Sequence, residues 1–225
     1  IGGANKLYVQ RNKLGKVGLL KTIHLPTGGS YEIEYQRVGN TQELPQSKYV
    51  LSGVTMNSGL QTKSGNVQSY KTQYTYKDGY YDRKAKEFYG FKTVKAVTGT
   101  GKVTETEYYI DAYYRKGMVK KETVSHNGAV YSIKEYETDE VPHARVKREW
   151  NTIREGYREI RTESDYRYDR YGNVTSLEDK GDVTNPNDDI VARIRYWDSG
   201  DERRYFKAHP EKIEVFDSKS GRLLR

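Results

Sequence analysis

The chain has 225 residues, a net charge of +8 and no cysteine, so disulfide frameworks and thiolate chemistry are both excluded. Tyr is unusually frequent at 22, while Leu (11) and Ala (8) are scarce, which argues against a helical bundle because the good helix formers are missing. Val, Thr, Tyr, Ile and Phe account for 72 residues and suit a pleated, half-buried surface, with each Tyr ring able to bury its face while the hydroxyl stays wet.

In chain order, the basic residues Lys6, Arg11, Lys13, Lys16 and Lys21 come before the first acid, Glu32. A nucleic-acid footprint should be clustered, and beyond this start bases and acids interleave, with eight Lys/Arg and seven Asp/Glu between residues 140 and 170. That is the pattern of a solvated face, and no nucleic-acid partner is expected. The chain opens Ile1-Gly2-Gly3 rather than with Met or a signal segment, which fits a piece of a longer polypeptide. No run approaches the roughly 20 apolar residues of a membrane span.

Alternating runs then predict strands. Tyr31, Ile33 and Tyr35 share one face of the first, with Glu32 and Glu34 on the other. Residues 68–76 repeat the pattern with Tyr70, Thr72, Tyr74 and Tyr76, and residues 104–110 and 131–136 follow it. A Gly, a variable residue and then Val or Leu opens β-type runs at Gly15, Gly65, Gly101, Gly128, Gly172 and Gly221. The intervals are unequal, so this is a degenerate hairpin repeat and not a strict solenoid period. Between Val146 and Ile160 two periods overlap. Val146, Trp150, Ile153, Tyr157 and Ile160 fall at helical spacing, while Arg158, Ile160, Thr162, Ser164, Tyr166 and Tyr168 alternate. Gly156 interrupts the helical version, which favours strands. The predicted fold class is all-β, an antiparallel meander of hairpins. A soft boundary near residues 140–143 divides the chain into segments 1–140 and 141–225.

Four stretches carry a family resemblance. Leu19-Leu20 and Ile23 lead into Pro26-Thr27-Gly28-Gly29 and Glu34-Tyr35. Arg83, Glu87-Phe88 and Gly90-Phe91 form the second stretch, and Tyr108-Tyr109 with Tyr113-Tyr114-Arg115-Lys116-Gly117 the third. The last is Tyr168-Asp169-Arg170-Tyr171-Gly172-Asn173-Val174, with a degenerate second unit at Phe216-Asp217 and Gly221-Arg222-Leu223. In this order they resemble Rhs/YD-repeat proteins of the SpvB and Tc-toxin B-component type. The resemblance implies a large curved sheet or hollow β-shell of a secreted bacterial toxin or virulence protein. The implied role is structural and non-catalytic. The implied partners are the rest of the same polypeptide and an enclosed toxic polypeptide. Tyr168, Asp169, Gly172, Asp217 and Gly221 would be structural YD-repeat positions. The residues supply a reason for the motif, since Asp169 can accept a backbone N–H and Gly172 tolerates a left-handed turn.

Catalytic chemistry finds little support. No G-x-S-x-G elbow is present, and His24, His126, His143 and His209 lie far apart in sequence. Gly28-Gly29-Ser30 lacks the Lys-Ser/Thr ending of a phosphate loop. Glu32/Glu34 and Glu105/Glu107 sit at i, i+2, as on the solvent side of a strand. Asp179, Asp182, Asn185, Asn187, Asp188 and Asp189 form an oxygen-rich loop that suits calcium or Asx turns equally, but it fails the EF-hand spacing. No metal or cofactor is expected. The doublets Tyr80-Tyr81, Tyr108-Tyr109 and Tyr113-Tyr114 should place one ring on each face of a sheet. Used as platforms, they would instead make an extracellular carbohydrate- or cell-surface-binding module, the alternative function.

Overall fold

A computed structural model describes residues 17–61, 65, 67–139, 144–197 and 207–225. The described residues form one antiparallel sheet of 13 strands, paired strictly in chain order. The strands are β1 (Thr22–His24), β2 (Ser30–Val38), β3 (Lys48–Gln61), β4 (Val67–Asp82), β5 (Glu87–Thr98), β6 (Lys102–Tyr108) and β7 (Val119–His126). They continue as β8 (Ala129–Thr138), β9 (Val146–Glu155), β10 (Arg158–Tyr168), β11 (Val174–Asp182), β12 (Ile190–Tyr196) and β13 (Pro210–Asp217). β1 and β13 are not paired with each other, so the sheet is open.

The predicted runs lie in β2, β4, β6 and β8, except that β6 ends at Tyr108, two residues before the end of the 104–110 run. The ambiguous stretch folds as β9 and β10, paired Ile160 to Ile153 and Glu163 to Trp150, so the period of two prevails over the helical one. Gly156 (φ 60°) supplies the turn between them. The Gly-x-Val pattern opens return strands at Gly101, Gly128 and Gly172, whereas after Gly221 only a single bridge forms, Leu223 to Phe216. Gly128 (φ 81°) precedes β8 and Gly172 (φ 91°) precedes β11, in the left-handed region that a Cβ disfavours. Gly15 and Asn66, which belong to two further copies, lie outside the described residues, as does the 140–143 boundary.

Cross-strand partners share a face, so the register sorts the side chains. One face collects Tyr31, Met56 and Tyr70 in one row, Val94 and Thr106 in another, and Ile153 and Ile160 in a third. The opposite face collects Glu34, Lys95, Glu105, Lys121, Glu135, Arg148, Glu163 and Asp165. The first face is thus richer in apolar, Thr and Tyr side chains, although Glu122 and Lys134 continue the Thr106 row, and the second is richer in charge, although Ile133 continues the Glu105 row. Among the described residues no second layer covers either face, and the only buried apolar side chains are Leu44, Tyr89 and Ala144.

The densest local packing is at the β4–β5 end. The 39–47 connection folds back so that the Tyr81 N–H donates to the Glu43 carbonyl at 2.8 Å. Leu44, 2% exposed, sits over Gly79, where a Cβ would come within 2.8 Å of its methyl and 2.9 Å of the Phe91 ring. Phe91 in turn meets Tyr76 (4.9 Å between centroids) and Phe88 (5.4 Å).

One expectation is corrected here. Tyr113 and Tyr114 do not straddle a strand. They lie in the β6–β7 connection, edge-on to each other at 5.4 Å and both exposed. That connection is a compact turn in which Gly117 N–H donates to the Tyr109 carbonyl and Arg115 pairs with Asp111, so strand alternation does not reach it.

Candidate interaction surfaces and the Tyr-Asp turn

The turn between β10 and β11 is built around Asp169. Its Oδ1 accepts the Tyr171 N–H (2.8 Å) and the Asn173 N–H (2.9 Å), and its Oδ2 accepts the Asn173 side-chain amide (2.9 Å). The backbone closes with Asp169 N–H to Asn173 O and Gly172 N–H to Asp169 O. Burial pushes the Asp169 carboxyl up, but the bonds from Asn173, Tyr171 and Gly172 outweigh it and hold it below its ordinary range. Asp217 organises a turn of the same kind one residue longer. It accepts the Ser220 N–H (2.6 Å), while Gly221 (φ 67°) donates to its carbonyl.

Tyr168 ends β10 and reaches back over β9, donating its hydroxyl to the Val146 carbonyl at 2.6 Å. Arg145 lies over its ring at 4.7 Å, donates to the Asp169 carbonyl at 3.0 Å and pairs with Asp139 at 3.0 Å. This cation fastens the β8–β9 connection to the Tyr-Asp turn. Sequence reasoning missed it, because its partners lie 6 and 24 residues away. Also missed was Tyr81-Asp82, where Asp82 Oδ1 accepts the N–H groups of Lys84 and Ala85. The Tyr-Asp dipeptide is its signal, disguised because Lys86 (φ 54°) takes the left-handed position where a Gly is expected.

The charged face carries a ladder of ion pairs across β7 to β11. Lys121 meets Glu135 (3.2 Å), Arg148 meets Asp165 (2.5 Å) and comes within 3.9 Å of Glu137, and Lys180 contacts Glu163 and Asp165. Trp150 donates Nε1–H to Glu163 (2.7 Å) and lies between Arg148 and Arg161, each 5.5 Å from its ring. Burial pushes Asp165 up, but Arg148 and Lys180 hold it below the usual carboxylate range. The Glu163 hydrogen bond raises Lys180. Beside this ladder is a concavity of ≈ 730 Å³, lined among others by Lys147, Arg148, Arg167, Ser176, Lys180 and Arg193.

The other candidates do not assemble. His24 is on β1 and His126 ends β7, six strands away, with its Nε2 2.7 Å from the Thr100 carbonyl oxygen. His209 immediately precedes β13, and His143 lies outside the described residues, as do Lys6, Arg11, Lys13 and Lys16. In the oxygen-rich loop Asp182 accepts the Thr184 N–H and hydroxyl, and Asp188 accepts the Asp182 N–H. These carboxylates serve turn N–H groups, and no group of three or more His, Cys, Asp or Glu among the described residues is placed to hold a metal.

The sequence profile of the family described as insecticide toxin TcdB middle/N-terminal region matches residues 4–122, more than half of the chain. The chain belongs to that family. No curated protein sequence matches it. Solved structures share the fold of this TcdB-family segment at low identity. The crystal structure of TcdB2-TccC3-Cdc42 superposes with a TM-score of 0.66 at 13% identity over 88% of this chain. The Photorhabdus luminescens Tc holotoxin pore gives 0.66 at 12% over 88%, and TcdB2-TccC3 gives 0.65 at 11% over 84%. The TcdB-family segment spans about 15% of the length of each of these chains.

Proposed function

We propose that this segment is a non-catalytic stretch of wall in a β-shell that encloses a toxic polypeptide, within a secreted bacterial toxin of the Tc B-component type. The observation that carries the reading is the single-layer, open meander of 13 strands, which has two faces and almost no core of its own. Such a sheet becomes stable when its faces and edges meet more protein. The partners of this reading are the remainder of the same polypeptide and the enclosed polypeptide. Solved relatives that contain both TcdB2 and TccC3 support it.

The SpvB and Rhs/YD affinities belong to the same proposal. Tyr168, Asp169, Gly172, Asp217 and Gly221 act as turn-forming positions of two YD units. The segments 1–140 and 141–225 are two stretches of one continuous sheet. Enclosure hides the cargo from the cell that makes it, and export of the whole carries the segment outside.

Limited proteolysis of the full-length protein tests the proposal. An enclosed polypeptide should survive protease far longer than the same polypeptide alone, and equal rates of cleavage would refute it. The carbohydrate-binding alternative rests on the exposed Tyr113 and Tyr114. Against it, Lys116 Nζ already sits 4.0 Å over the Tyr113 ring, where a sugar would stack.

A further inference from the structure

The concavity on the charged face has an uneven balance of charge. Its lining includes Lys147, Arg148, Arg167, Lys180 and Arg193 against Asp165 and Glu178. Three of the cations are already matched: Lys147 by Glu137, Arg148 by Asp165, and Lys180 by Glu163. Arg167 and Arg193 are different. Neither has an acid within ion-pair distance among the described residues, and both are exposed.

The register places these two guanidinium groups on either side of Ser176. Arg167 pairs with Ser176 from β10, and Ser176 pairs with Arg193 from β12. Strands about 4.8 Å apart set the two Arg backbones roughly 10 Å from each other. The β10–β11 register slips between Arg167 and Tyr168, making Thr175 an extra residue beside Ser176. Both residues line the concavity, and the Thr175 hydroxyl donates to the Arg167 carbonyl at 3.3 Å, which pins the bulge. Arg193 lies over the Phe216 ring at 5.0 Å, which holds the guanidinium against β13.

We infer that this concavity binds an acidic stretch of polypeptide, with its carboxylates held by Arg167 and Arg193 on either side of Ser176. The inference rests on the enclosure reading for the polypeptide nature of the ligand. The chemistry follows from the site itself. A planar guanidinium fork matches a carboxylate with two parallel N–H bonds, and the Ser176 hydroxyl between two such forks offers one further donor. The interleaved Asp165 and Glu178 break the continuous basic track that a nucleic-acid backbone needs. Separate carboxylates on a peptide can pass between them.

The test measures binding of a fluorescent ten-residue poly-Glu peptide to the full chain by anisotropy, with poly-Lys and oligo-dT of equal length as comparisons and inorganic phosphate as competitor. Poly-Glu should bind and poly-Lys should not. Affinity should fall at least tenfold in the Arg167→Gln/Arg193→Gln double variant and stay unchanged in Lys77→Gln/Lys95→Gln, which lies on the same face at β4–β5. Equal binding by both double variants, or no binding of poly-Glu, overturns the inference. Tighter binding of oligo-dT with the same Arg dependence replaces it with a nucleic-acid site. Displacement by phosphate at the peptide's own affinity reduces it to a simple oxyanion site. If the double variant loses its circular dichroism signature, Ser176→Ala with Arg193→Lys provides the second reading, and an unchanged affinity there also overturns the inference. Protease protection of the enclosed polypeptide is scored separately. Lost peptide binding with intact protection refutes the groove alone, and lost protection with intact binding refutes enclosure alone.

Discussion

The Tyr168 hydroxyl donates to the Val146 carbonyl, and 28 residues later Tyr196 makes the same bond to Val174 at 3.0 Å. In both cases the last residue of a strand ties back to the first residue of the strand before it. Burial raises both phenols above their ordinary range. These ties join strand ends where the ladder alone would fray. Tyr168→Phe should cost about 0.5–1.5 kcal/mol, plus what the orphaned carbonyl adds. Urea unfolding of the variant should show a lower midpoint with an unchanged slope.

Removing the Asp169 carboxylate should cost more than losing a single bond, because three donors depend on it. Asp169→Ala should destabilise by about 1–3 kcal/mol. Asp169→Asn, which keeps an acceptor oxygen, should cost less. Thermal melts of the two variants side by side give the order.

Among the described residues, Leu44 is the nearest approach to a true core residue. Leu44→Ala should lose about 2–5 kcal/mol, and Gly79→Ala should destabilise by driving a methyl into Leu44 and Phe91. A double variant should show non-additive losses, since both changes act on one contact. Chemical denaturation of the three variants measures this.

Stability should fall at both extremes of pH. Asp165, Asp169 and Asp217 are held low in the folded chain, so their contribution is full above the unfolded carboxyl value of about 3.9 and is lost as pH drops through their folded values. Lys180 and the half-buried phenols of Tyr166 and Tyr168 are raised, so their contribution is full below about pH 10 and is lost as pH climbs through their folded values. Midpoints measured from pH 2 to 11 should trace a plateau with two falling limbs, and Asp165→Asn should flatten the acid limb.

The strands and their turns were legible because both are local. Alternation marks a face, and a Gly or Asp marks a bend within four residues. Across residues 146–160 the two periods competed, and pairing with β8 and β10 decided for strand. The Leu44 plug was not legible, because the 39–47 segment has no period and its partner Gly79 lies 35 positions on. The Arg145 clamp and the Tyr ties were hidden for the same reason, since side chains that reach across strands leave no mark on spacing. The basic concavity emerged only when the register set Arg167, Ser176 and Arg193 in one row.

Strict pairing in chain order gives this sheet the logic of a zipper. Each strand touches only its predecessor and its successor. No strand has to wait for a distant partner, so loop-closure entropy stays small for a β-protein and hairpins can add one after another as the chain emerges from the ribosome. Damage should be equally local, since a broken hairpin disturbs the strands beside it and leaves those further along intact. A sheet assembled in this way needs no distant strand before its early hairpins can form.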